Sequence, residues 1–575
     1  KEIYRPAPLR RARGKEVQSM KLPRLSGSQP AGDPLIRFKG YNRTDRAGKD
    51  EFHDMENMTG DRFPLLAPRG ARGTVRTLTK ANGLYARDKL LWVDGTEVFY
   101  GEKKIGDVED SEKQFVSVGA YVLIFPDKVY YNTATDTFGS MENKYISSGT
   151  VRYMQSWLTD TELDAEGQVY VKIEAAGIEA GFEKGDGVEI SGFTEDKING
   201  TRVIQDIGTG WIKIIAAIDK DGSQSAAVTI RRKLPDMDYY TVAENRLWGC
   251  SSQNHEIYAS KLGSPFNFYC FEGLASDSYA ATIANDGDFT GAVTYLGYVM
   301  FFKERSVHKV YGNKPANFQI IEGQLRGVEK GSAESLKILN EVLYYKSPAG
   351  VMSFQGSMPY DVGEALGEGY YATGEASAGV IGNKYYISLK DAKGRSHLFV
   401  YDATKGLWHR EDGTKARYFT AFGGNLYYLE GNTIKTVSYM AASPLGQQAE
   451  PATYLAALPL GQQAEPAIRK DGEIVEWHAE TTDFTYQTAE SKFISRIGLR
   501  CEVSGGAALE VWIDYDSRGA WERLTSVGET GKNIRNIPII PRRCDHFRLK
   551  FAGYGECVIY DMIFWLTMGS NERRR

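Results

Sequence analysis

The feature that most constrains this chain is a unit written three times between Thr290 and Gly413. Each copy has a small-residue turn, an apolar strand, a tight turn, a returning strand and a polar loop. The first covers residues 291–302, turns at 303–306 and returns at 307–311. The second covers 335–345, turns at Ser347-Pro-Ala-Gly350 and returns at 351–354. The third covers 379–389, turns at Asp391-Ala-Lys-Gly394 and returns at 397–401 and 407–408. The spacing is about 45 residues, which is what four short antiparallel strands and their turns require; it is the period of β-propeller blades. The 35 Tyr and 61 Gly suit such a fold, because aromatic rings favour strands and glycine favours tight turns.

The same grammar begins at Asn82. Residues 83–93 turn at Asp94-Gly95 and return at 98–100, and residues 115–125 return at 129–131. It resumes at Tyr239 and ends in a last unit over 417–436, giving six or seven blades. Residues 145–235 interrupt it with their own short strands at 169–173, 187–190, 202–207, 211–215 and 227–230, a small sandwich or barrel. Near the C-terminus, period-two alternation such as Phe547-Arg-Leu-Lys-Phe551 predicts a β-sandwich.

The fold class expected is therefore all-β: a six- or seven-bladed β-propeller with an inserted small β-domain and a C-terminal β-sandwich. The chain divides into an extended basic N-terminal arm (1–34), the first part of the propeller (35–144), the insert (145–235) and the rest of the propeller (236–440). An Ala/Gln/Pro linker follows (441–470), with a nonapeptide at 444–452 repeated at 459–467; then come the sandwich (471–568) and a basic tail (569–575). Phe52, Met55 and Met58, three apart, predict a short helical turn, and the Leu35–Phe38 strand is expected to complete the last blade.

Chemistry is sparse. The chain has no G-x-S-x-G, H-E-x-x-H, Walker loop or G-x-G-x-x-G. No two of the seven histidines lie at metal-ligand spacing, and His308 and His397 read as satisfied sheet histidines. Asp514-Tyr-Asp516 with Gly519 and Trp521 reads as a hairpin whose Trp521 packs on the sandwich. The five cysteines are odd in number and form no C-x-x-C, which argues against a disulfide framework and a structural zinc. They fit a reducing cytoplasm. No catalytic residue, metal or cofactor is expected, and no enzyme. A net charge of −4 gives no global attraction for nucleic acid. No apolar run approaches the roughly 18 residues that span a bilayer, and the start of the chain has no signal-like apolar region, so no membrane anchor is expected. The candidate subunit-interface residues are Arg5, Arg10, Arg11 and Arg13 in the arm, with Arg542 and Arg543 beside Asp545 on a sheet edge.

Three stretches together resemble virion structural proteins of tailed bacteriophages. They are Asn42-Arg-Thr-Asp45 leading to Glu51-Phe-His-Asp-Met-Glu-Asn-Met58 and Phe63-Pro-Leu-Leu-Ala-Pro-Arg69; Phe301-Phe-Lys-Glu-Arg-Ser-Val-His-Lys-Val-Tyr-Gly312; and Ile537-Pro-Ile-Ile-Pro-Arg-Arg-Cys-Asp-His-Phe-Arg-Leu-Lys-Phe551 with Gly553-Tyr-Gly555. The type resembled is the propeller-bearing tail hub or nozzle, including packaged-DNA stabilisation proteins. The resemblance implies a ring of copies, commonly six, in the virion tail, assembled in the host bacterial cytoplasm. Its implied partners are adaptor, portal and fibre or tip proteins, with transient contact to genomic DNA passing through the channel. Two other readings are a phage or surface propeller that binds host glycans, and a propeller glycosidase.

Overall fold

A computed structural model of the chain describes residues 29–30, 34–156, 170–371, 374–438, 474–487, 491–540 and 542–568. Seven four-stranded antiparallel sheets follow one another as propeller blades. Blade 1 spans residues 81–107, blade 2 114–140, blade 3 239–282, blade 4 291–324, blade 5 337–361 and blade 6 377–410. Blade 7 takes three strands from 416–436 and its fourth, Gly73–Thr77, from near the N-terminus.

The blades close because single strands serve two interfaces at once. In Tyr298–Phe302, Val299 and Phe301 pack towards Trp248 and Ile257 of blade 3, while Met300 and Phe302 pack towards Leu343 and Tyr345 of blade 5. Successive side chains point to opposite faces of a strand, so a strand buried on both faces reads as a continuous apolar run. Every neighbouring pair shares such a core. Leu91 and Val93 meet Val122 and Ile124 between blades 1 and 2, and Leu123 and Phe125 meet Leu247 and Tyr258 between blades 2 and 3. Tyr344 and Val351 meet Tyr385 and Ile387 between blades 5 and 6, and Leu398 and Val400 meet Leu426 and Tyr428 between blades 6 and 7. Leu429 and Ile434 of blade 7 pack on Leu84 and Trp92 of blade 1, so the ring is complete.

The long apolar runs read from sequence as one strand are each two strands, joined by a two-residue turn in blades 2, 4, 5 and 6 and by the three residues 87–89 in blade 1. Tyr295 pairs with Tyr298 around Leu296 (φ 49°) and Gly297 (φ 79°), and Leu339 pairs with Val342 around Asn340 (φ 50°) and Glu341 (φ 63°). These left-handed pairs match the twist of a hairpin, but Leu-Gly and Asn-Glu are weak turn signals inside an apolar run.

The N-terminal segment departs from expectation twice. Residues Phe52–Glu56 are a strand paired with Glu476–Thr481, not a helical turn, because Phe52 and Met55 are buried in a sheet interior. Leu35 does not complete a blade. It bridges to Met562 in the C-terminal sandwich, and Gly73–Thr77 closes the propeller instead. The sandwich has a four-stranded sheet centred on Lys492–Val503 and Cys557–Met568, and a five-stranded sheet that starts with Phe52–Glu56. Its core of Leu499, Cys501, Val511 and Phe551 runs without a break into Tyr385, Phe399 and Trp408 of blade 6. Asp514 is buried in the predicted hairpin, accepts hydrogen bonds from Gly519 N (3.0 Å) and Arg548 (3.0 Å), and Trp521 lies between Arg548 and Lys550.

The insert is one eight-stranded antiparallel sheet, from Asn143–Ile146 at one edge to Gly222–Gln224 at the other, curled around Val171, Ile190, Ile204 and Ile214. It is bolted to blade 3. Asn267 donates to Gly185 O (2.7 Å) and accepts from Gly187 N (3.1 Å). Gly187 is required there, since a Cβ would lie 2.3 Å from the Tyr269 carbonyl.

The five cysteines are free and buried. No helix among the described residues is long and apolar enough to cross a membrane.

Candidate functional site

A cleft of about 1260 Å³ opens where the N-terminal segment crosses blades 5 and 6 beside the sandwich. Its first wall is the Asn42–Asp45 loop. Asn42 Oδ1 accepts from Thr44 N (3.0 Å) and Thr44 Oγ1 (2.7 Å), Glu51 accepts from Asn42 Nδ2 (2.9 Å) and Gly48 N (2.6 Å), and Arg43 N donates to Ala365 O (2.9 Å). The loop is therefore held at both ends, and Arg43 projects into the cleft with no ion pair among the described residues. Tyr41, only 2% exposed, sets its hydroxyl beside the Arg43 guanidinium without a hydrogen bond of good geometry. Strand Phe52–Glu56 supplies Asp54 and Glu56 from its open face.

Blade 6 makes the opposite wall. Asp391 caps its own turn, accepting from Lys393 N, Arg395 N and Arg395 Nε (each 2.9 Å), and faces His397 Nε2 at 3.3 Å. Arg410 spans the two walls, 2.9 Å from Asp54 and 3.2 Å from Glu56, and His478 of the sandwich meets Asp54 at 3.2 Å. Burial raises the Asp54 carboxyl, but the His478 hydrogen bond and Arg410 outweigh it and hold it below its ordinary value. Asp391 is likewise held well below, the hydrogen bonds from Arg395, His397 and Lys393 overcoming its burial. Burial pushes the His397 imidazole down. Carboxylates held ionised are acceptors. Beside the guanidiniums of Arg43 and Arg395 and the rings of Tyr370 and Tyr371, they suit a polyhydroxylated ligand that both donates and accepts hydrogen bonds.

Behind the cleft a buried ion-pair network anchors the N-terminal segment. Arg72 reaches Glu411 (2.5 Å), Asp412 (2.7 Å) and Thr414 Oγ1 (2.7 Å), and Arg69 reaches Asp412 (3.1 Å) and Asn57 Oδ1 (2.7 Å). The pairing of Arg69 and Arg72 with Glu411 and Asp412 carried no sequence signal, because those partners are more than 300 positions apart.

The structure also gathers two three-residue groups that spacing alone did not reveal: Asp54 with His478 and Glu480, and Cys270 with Glu272 and Asp277. Arg410 and Lys550 already neutralise the first. His397 has the partner expected of a sheet histidine, but His308 does not: it is 2% exposed, with no hydrogen bond of good geometry at either ring nitrogen among the described residues. Among the candidate interface residues, Arg542 pairs with Glu522 and stacks over Tyr515 (5.6 Å), and Arg543 is exposed beside it. Arg5, Arg10, Arg11 and Arg13, like the duplicated nonapeptide and the tail, lie outside the described residues.

No protein-family model and no curated protein matches the chain. Solved structures similar to it include the phage phi92 endosialidase (10% identity over 77% of this chain and 79% of that one, TM-score 0.26). Others are the extracellular domain of a putative hybrid two-component system from B. thetaiotaomicron (11%, 87% and 64%, TM-score 0.34) and the Trypanosoma rangeli sialidase (10%, 75% and 93%, TM-score 0.22). The all-β propeller is what the seven blades above form, and these structures lend no support to the tail-hub, nozzle or packaging parts of the expectation. They go against another part of it. Glycosidases recur among these structures, an exo-β-1,3-galactanase with them, so the expectation that the chain is no enzyme does not stand.

Proposed function

We propose that the chain is a tail component of a tailed phage that holds a saccharide in the cleft between blades 5 and 6 and the N-terminal segment. The observation that carries the saccharide is the set of groups facing one another there: Arg43, which has no ion pair among the described residues, the Arg395 and Arg410 guanidiniums, ionised Asp54 and Asp391, and the rings of Tyr370 and Tyr371. Paired donors and acceptors with flat apolar rings recognise sugar hydroxyls and carbon faces together. The test is titration of acidic and neutral oligosaccharides into the purified chain, with release of reducing ends followed in the same samples. Binding in the micromolar to millimolar range, weakened about tenfold by Arg43→Ala, supports the reading. A wild-type chain that binds no saccharide, or an Arg43→Ala chain that binds as wild type, removes it.

The tail setting rests on the sequence resemblance. It brings a ring of copies, commonly six, neighbouring tail proteins and DNA passing in transit, with the arm residues Arg5, Arg10, Arg11 and Arg13 and the edge residues Arg542 and Arg543 at the contacts. Electron cryo-microscopy of the purified chain tests it. A closed ring that weakens when residues 1–34 are removed supports the setting, and a monomer at high concentration argues against it.

A further inference from the structure

The propeller axis holds a second, separate arrangement. The innermost strands of blades 1, 2, 5, 6 and 7 wall a cavity of about 370 Å³, and beside it lies one of about 340 Å³ that shares Glu334 and Tyr418 with the first. Two glycines make room for its walls. A Cβ at Gly83 would stand 2.7 Å from the Phe115 ring, and one at Gly379 would stand 2.5 Å from Phe419 Cβ, so both aromatic rings lie flat against the inner strands. A bulge sets the third side. The register between Ala416–Phe422 and Asn425–Glu430 jumps between Arg417 and Thr420, and Tyr418 there has φ 53°. A left-handed backbone at an aromatic residue is strained and persists only where its surroundings hold it. Tyr418 N is held by Glu334 Oε2 (3.2 Å), which also accepts from Ser377 Oγ (2.7 Å).

Glu334 is thus occupied by two donors, and Arg417 by Glu112. Lys337 is not. Its side chain lines the same cavity, and its ammonium has no hydrogen bond or ion pair among the described residues. Burial holds its pKa below the ordinary lysine value, with Glu334 opposing. Lys337 is half-buried, and the wall around it is apolar at Leu84, Phe115, Val380, Phe419 and Leu426 and acidic at Glu334, which is already taken by its two donors; an anion supplied from outside gains a partly desolvated cation that has no ion pair among the described residues.

We propose that this axial cavity binds a small organic anion, a carboxylate or sulfonate carried on an apolar ring, with the head group on Lys337 and the ring against Phe115 and Phe419. The site is distinct from the lateral cleft, so each can fail alone. The probe is 1-anilinonaphthalene-8-sulfonate, followed by fluorescence and competed with benzoate and with glucuronate. One probe per chain is expected. Benzoate should displace it and glucuronate should not; Lys337→Met should weaken it by about tenfold or more, and Lys337→Arg should restore it. The probe should also protect Lys337 from acylation by acetic anhydride, read by peptide mass spectrometry. A wild-type chain without one-to-one binding overturns the proposal, as does a folded Lys337→Met chain that binds unchanged. Equal displacement by glucuronate overturns the apolar half of it.

Discussion

His409 sits on blade 6, 5% exposed, against Gly60, where a Cβ would lie 2.8 Å from the imidazole. Burial, then the Lys384 ammonium, push it from 6.5 down to about 4. Between those values the unfolded chain takes up a proton that the folded chain refuses, so stability falls as pH drops through that window. The gap is worth on the order of 3 kcal/mol. Burial displaces His308 and His397 in the same direction, so they add to the loss. Urea denaturation from pH 7 to pH 4 should show the decline, and His409→Gln should flatten part of it; a variant that falls as steeply as wild type removes His409 from the account. Asp54, Asp412 and Asp514 are held below their ordinary value of 3.8, so their contribution is complete above that value and is lost only at lower pH. Arg72 argues the same physics from the cationic side. Its side chain is 6% exposed and that of Glu411 is 7%. Arg72→Met leaves two carboxylates without their main counter-charge, and a loss of about 3–5 kcal/mol is expected in the same denaturation assay.

At the scale of elements, the strand Gly73–Thr77 decides whether the ring is closed. It pairs with Thr433–Thr436, and Arg76 lies over the Trp92 ring of blade 1 at 4.9 Å. Proline at Val75 breaks the strand's conformational fit and packing. Hydrogen exchange should then quicken in residues 416–436 and 81–107 while blades 3 and 4 stay protected; uniform quickening would mean that the ring opens as a whole. This strand was not legible in the sequence, because Gly-Thr-Val-Arg-Thr carries no blade grammar and its partner lies 350 or so positions on. What was legible followed from local rules. The hairpin at Asp94-Gly95 forms with Gly95 at φ 61°, and the alternation in Phe547–Tyr554 marks a face buried in the sandwich. The turn at Leu296-Gly297 was hidden because its leucine continues the apolar run, and that at Asn340-Glu341 because it puts a glutamate, rather than a glycine, at a left-handed position (φ 63°). The lateral cleft was hidden for a different reason. Asp54 and His478, in contact at 3.2 Å, stand 424 positions apart, and only the folded sandwich brings them together.

For the molecule as a whole, the N-terminal segment is a seam between bodies that the sequence separates. It bridges to the sandwich at Leu35 and adds the strand Phe52–Glu56 to it. Between these it donates from Tyr41 N to Trp408 O of blade 6 (2.6 Å), and it closes blade 7 further on. Gly40 belongs to this seam, since a Cβ there would lie 2.0 Å from the Trp408 carbonyl oxygen. The sandwich core and the core between blades 5 and 6 are accordingly one continuous apolar cluster, whereas the insert keeps its own. Units that share a buried core unfold together, and units that meet through a few polar bolts separate. Denaturant unfolding followed by hydrogen exchange should therefore show two steps, with residues 170–215 opening apart from the rest. Blade 6 and the strands Lys492–Val503 and Phe547–Tyr554 should open in one common step. Gly40→Ala, which pushes the seam off Trp408, should split that common step in two while leaving the insert's midpoint where it was. A sandwich that already unfolds ahead of blade 6 in the wild-type chain would show that the shared core does not couple them.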